Sequence, residues 1–99
     1  MNDEYALRRS MNVASRARAI LEDEIVASAL DAIEAELRGV WESSQPDDSM
    51  SRENAYRMLH AAKAFRARFQ KVIDDGAVAR ALLEGNEAQR RRTQETEHD

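Results

Sequence analysis

SRENAYRMLHAAKAFRARFQKVIDDG, residues 51–76, decides the fold. Ser51 is placed to act as N-cap, and Glu53 just inside sets a negative charge near the positive end of the helix dipole. From there Ala55, Met58, Leu59, Ala62, Phe65, Phe69, Val72 and Ile73 recur at helical spacing, and at about 100° per residue they fill an arc of roughly 120°. That arc predicts a core face. Asp74, Asp75 and Gly76 predict its end, because Gly readily takes the left-handed conformation just past a last turn. Such a helix is roughly 37 Å long, and its solvent side, with Arg52, Arg57, Lys63, Arg68 and Lys71, is locally basic.

Upstream, residues 42–50 form one clear loop around Ser43, Ser44, Gln45, Pro46, Asp47, Asp48 and Ser49, a length that suits an antiparallel helix pair. Its other arm, residues 23–42, carries Glu24, Asp31, Glu34, Glu36 and Glu42 against Arg38. An acidic arm facing a basic one favours pairing, but exposed ion pairs each contribute only about 0–1 kcal/mol, so the apolar stripes dominate.

Two stripes precede the loop. Val13, Ala14, Ala17, Ile20, Leu21 and Ile25 share one side, whereas Val26, Ala29, Leu30, Ile33, Leu37, Val40 and Trp41 lie roughly opposite. Either the helix breaks near Glu22, Asp23 and Glu24 with Asp23 as a new N-cap, or it is unbroken and its first half packs on another subunit. Residues 1–9 read as a frayed arm. After Gly76, the run Val78, Ala79, Ala81, Leu82, Leu83 predicts a short helix stopped by Gly85 and Asn86, and residues 86–99 read as a charged tail that is disordered alone. The expected fold is therefore all-α, an antiparallel helical hairpin over residues 10–85 with an added N-terminal helical segment, a short C-terminal helix and polar tails.

Ninety-nine residues with three Gly, one Pro and five aromatics (Tyr5, Trp41, Tyr56, Phe65, Phe69) suggest one small core built from close helix packing rather than a sheet. No Cys is present, so there is no disulfide framework or thiolate zinc site. No stretch approaches the roughly 18 apolar residues of a membrane span, and the N-terminus lacks the apolar segment of an export signal. The expectation is a chain with no membrane partner. A net charge of −4 weighs against a nucleic-acid coat.

Chemistry-bearing residues point away from catalysis. His60 has no second ligand at helical spacing and His98 lies in the tail, so no metal and no cofactor is expected. Glu22, Asp23, Glu24, Asp74 and Asp75 read as caps and solvated ends, and Ser10, Ser15 and Ser28 have no nucleophile motif. The chain reads as no enzyme. Arg90, Arg91 and Arg92 suit a solvated tail, an acidic protein surface or phosphates, with protein contact ahead of nucleic acid. Trp41 reads as the closure of the hairpin end, or else as a partner anchor.

Ala19-Ile20-Leu21-Glu22-Asp23, then Ala29-Leu30-Asp31-Ala32-Ile33-Glu34, Trp41, an acidic loop, Arg52-Glu53 and Val72-Ile73-Asp74-Asp75-Gly76 resemble small helical proteins encoded by tailed phages and prophages, often near head and packaging genes. The resemblance covers about residues 15–83 and departs at Glu24, where that pattern frequently has Pro. It implies no activity. The leading expectation is a phage structural or assembly protein that packs as a homo-oligomer or on a larger virion component, present in the host cytoplasm during expression and in the virion. A phage-encoded inhibitor or adaptor of a host protein is the alternative, and a nucleic-acid-binding accessory the third. The expected partner surface is Val13, Ala17, Ile20, Leu21 and Ile25 with Val78, Leu82 and Arg90 to Arg92.

Overall fold

A computed structural model describes residues 3–97 and is all-helical over them, with α1 (Glu4–Glu22), α2 (Glu24–Ser43) and α3 (Ser49–Glu97) and no strand among the described residues. His98 and part of the expected arm and tail, residues 1, 2 and 99, lie outside that range. The chain divides into two compact units: the chain up to Arg18 with the chain from Gln70 onward, and Ala19–Phe69.

Unit Ala19–Phe69 opens on the break between α1 and α2. Asp23 holds an extended backbone, and its carboxylate accepts the N–H groups of Ile25 and Val26 at 3.0 and 3.1 Å, which satisfies two otherwise orphaned donors of α2. The helix therefore breaks where the two stripes change sides. α2 stops at Ser43; the Ser44 N–H and hydroxyl both donate to the Trp41 carbonyl. The next helix is capped by Asp48, not by the expected Ser51. Its carboxylate accepts the Ser51 N–H at 3.1 Å, and hydrogen bonds from Ser51 hold the Asp48 carboxyl below its ordinary range. Asp48 stands one step before the first helical residue, so its oxygen reaches the third N–H of the helix.

Within this unit the covered seam is narrower than the predicted arc. Leu30 and Ala55 are buried, while Leu37, Leu59, Ala62, Arg66 and Phe69 are half-buried. Met58 and Phe65, expected in the core, are 59% and 52% exposed. On α3 the covered positions step by four and three residues, the pattern of a helix touching one neighbour along an a/d seam, and such a seam covers less than a 120° arc. Arg66 occupies one of these positions. Its Nε donates to Glu34 at 2.6 Å and its terminal nitrogen to Asp31 at 2.7 Å. The bond to Glu34 is the main cause pushing the Arg66 guanidinium up from its ordinary value, against the opposing effect of desolvation.

The other unit overturns the expected stop at Gly76. No glycine has positive φ, and α3 runs on through Gly76, Gly85 and Asn86. Gly76 serves close approach instead: a Cβ there would overlap the Ala14 Cβ and stand 3.2 Å from the Ser10 carbonyl oxygen. α1 crosses at this point because neither chain carries bulk. Leu7, Ala79 and Leu83 form the buried cluster, with Met11 packed against it, and Ala14, Ala17 and Ile73 are also buried. Ala14 and Ala17 of the first stripe thus have an intrachain partner, while Val13 stays exposed.

The expected frayed arm and disordered tail are both helical here, α1 from Glu4 and α3 to Glu97. They meet each other: Glu4 pairs with Arg90, and Arg8 with Glu87 at 3.7 Å. Each segment looks unsupported when read alone because its partner lies at the opposite end of the sequence. Asp3 adds a local contribution by accepting the Tyr5 N–H at 3.0 Å.

Candidate functional site

Acidic clusters that could be read as catalytic are engaged in helix structure. Asp23 caps α2, Asp74 accepts from the Gln70 amide at 3.0 Å, and Asp75 pairs with Lys71 at 3.1 Å, one helical turn away. His60 is exposed and stacks on Tyr56, ring centroids 6.3 Å apart and nearly parallel. No group of three or more His, Asp or Glu placed to hold a metal ion occurs among the described residues, and none of these helices is long and apolar enough to cross a membrane.

Exposed apolar side chains are the chemistry this surface offers. Of the expected partner residues, Ile25 is 81% exposed and Val78 59%, Val13, Ile20 and Leu82 are less so, Leu21 is half-buried, and Ala17 is buried. Ala17 belongs to the inner packing. Arg90 is paired with Glu4, whereas Arg91 and Arg92 are exposed. These residues do not all belong to one unit: Val13, Val78, Leu82 and the arginines fall in the first, Ile20, Leu21 and Ile25 in Ala19–Phe69.

Sequence reasoning placed other apolar groups inside that the structure leaves outside. Ile33, Val40 and Trp41 on α2, and Met58 and Phe65 on α3, are exposed within Ala19–Phe69, and so is Tyr56, which the predicted arc did not include. Trp41 lies under the Arg52 guanidinium, 4.9 Å from its ring centroid, a cation–π contact that fixes the indole beside the loop. Next to it Arg38, Trp41, Glu42, Tyr56 and Leu59 line an open hollow of about 340 Å³. Phe65 and Phe69 touch in a tilted arrangement at 5.1 Å, so Phe69 inside carries Phe65 outside on the same helix. A signal for this exposure was present in the sequence: Arg66 replaces an apolar residue at an inner position, and the acids Asp31 and Glu34, three residues apart on α2, are spaced to receive it.

No protein family, curated protein or solved structure matches this chain.

Proposed function

We propose that the chain is a non-enzymatic structural or assembly protein of a tailed phage, which works by packing its helices on copies of itself or on a larger virion component. One observation carries this reading: among the described residues no large side chain is fully buried, while Ile25, Ile33, Tyr56, Met58, Phe65 and Val78 stand exposed. A chain that leaves so much apolar surface uncovered gains most by burying it against another helix. The phage setting rests on the resemblance of residues 15–83, and with it the host cytoplasm and the virion as the places of action.

The finer architecture in this reading is an antiparallel hairpin of α2 with the N-terminal half of α3. Trp41 and Arg52 meet beside the loop, whereas Asp31 and Glu34 meet Arg66 further from it on both helices. Contacts that move away from the loop together support opposite chain directions.

Mass spectrometry of purified precursor and mature particles from the encoding phage tests the assignment. The protein should be present in a fixed ratio to the head proteins. Its absence from both particle types, with recovery in complex with one host protein, would contradict the reading and favour the inhibitor or adaptor.

A further inference from the structure

Each helix of unit Ala19–Phe69 carries a second apolar seam, one residue before the covered one. On α2 the covered positions include Leu30, Glu34 and Leu37, and one residue earlier come Ala29, Ile33 and Glu36, with Val40 one turn on. On α3 the covered positions are Leu59, Ala62, Arg66 and Phe69, and one residue earlier come Met58, Ala61, Phe65 and Arg68. These outer positions are exposed on both helices.

A step back of one residue turns the side chain by about 100° around its helix axis. Viewed from one end of a pair, that turn has opposite senses for helices of opposite direction. Both outer seams of an antiparallel pair therefore swing to the same side; in a parallel pair they would swing to opposite sides. The reverse displacement is visible at the hollow, where Arg38 on α2 and Tyr56 on α3, each one residue after a covered position, line the same space. Arg66 reaches both Asp31 and Glu34, which sets Ile33 level with Phe65. Ala29, Ile33, Val40, Met58, Ala61 and Phe65 thus make one face.

We propose that a second copy of this chain covers this face, related by a twofold axis parallel to α2 and α3, so that α2 of each copy lies over the N-terminal half of α3 of the other. The inference rests on the reading that the chain packs on copies of itself. Charge selects the occupant. Glu36 is the charge on the α2 side of the face, and Arg57 and Arg68 are those along its α3 side, Arg57 already paired with Glu53. The parent helices share the same bias, α2 acidic and residues 49–69 of α3 basic. A face acidic along one edge and basic along the other is complementary to itself under this twofold, and a uniformly charged partner would match only half of it. The twofold perpendicular to the helices would set α2 on α2, acid on acid. Under the parallel twofold, Ile33 of each copy meets Phe65 of the other, and Glu36 of the second copy falls level with Ala61, between Arg57 and Arg68.

Because the chain has no Cys, single cysteines report this geometry directly. Full-length Ile33→Cys and Phe65→Cys chains, mixed under mild oxidation, should form a disulfide between unlike chains, and neither variant should cross-link to itself. A linked like pair, or no linked pair from the mixture, would overturn the proposed twofold. Sedimentation equilibrium supplies the second arm. Ile33→Asp should weaken pairing by roughly a hundredfold, since it sets a charge against Phe65, and an unchanged far-UV spectrum would show that the helices persist. If Ile33→Asp stays paired while joint Ile20→Asp and Leu21→Asp comes apart, this face is wrong and the self-packing reading stands. A wild-type chain that sediments as one copy at every concentration would overturn both.

Discussion

Gly76→Ala should destabilise the unit that contains it, although alanine is the better helix former. Helix propensity alone predicts a gain of about 1 kcal/mol at an interior position. The added methyl, however, would occupy the place of the Ala14 Cβ and crowd the Ser10 carbonyl, which belong to backbone and to a side chain too short to move aside. Overpacking of this kind costs about 1–3 kcal/mol and often more where backbone must shift. The net effect is a loss, read as reduced amide-exchange protection in α1 and in α3 beyond Gln70. Ala14→Gly in the same chain should restore much of it by vacating the contested space. Gly85→Ala and Gly39→Ala provide the contrast, since a Cβ at either position meets nothing within 4 Å. Both should gain about 0.5–1 kcal/mol from the removal of a helix-interior glycine. If Gly76→Ala also gained stability, close approach of α1 would not be the reason for that glycine.

Leu30→Ala and Leu83→Ala should each cost about 2–3 kcal/mol, the lower part of the range for truncated buried leucines, because cores this thin collapse more easily around a cavity. Leu30 is the only α2 side chain that is buried, at 8% exposure, and Leu83 closes the cluster with Leu7 and Ala79. The chain forms two compact units, so the losses should be local. Leu30→Ala should lower exchange protection within Ala19–Phe69, and Leu83→Ala should lower it in α1 before Ala19 and in α3 beyond Phe69. Equal loss throughout the chain from either variant would mean that the two units unfold as one.

What the sequence revealed in advance was local. Asp23 as a cap and the loop around Pro46 depend on neighbours a few residues away, and both were legible from residue type and spacing. A glycine after two aspartates suits a left-handed cap and reads as a stop, while the role of Gly76 depends on Ala14, far away in the chain. Residues 3–9 and 86–97 looked unsupported for the same reason: Glu4 and Arg8 find Arg90 and Glu87 only after the chain has folded. Arg66 shows a third kind of failure. A charged residue reads as a gap in an apolar stripe, yet Asp31 and Glu34 accept its guanidinium at the seam and Phe65 turns outward beside it. The expected partner surface shares this difficulty, since Ala17, on the same stripe as Ile20 and Leu21, is covered within the chain.

These corrections place apolar side chains expected in the core on the surface of α2 and α3, which is what the proposed self-packing rests on. If, as proposed, another copy completes the burial, stability depends on how much of that copy is present. The most direct test is thermal unfolding of the pure protein, followed by far-UV circular dichroism over roughly a hundredfold range of concentration. Self-packing predicts a midpoint that rises by several degrees from the most dilute sample to the most concentrated. A midpoint that stays the same throughout would contradict it, because a chain whose folded state gains nothing from further copies does not complete its core by packing on itself.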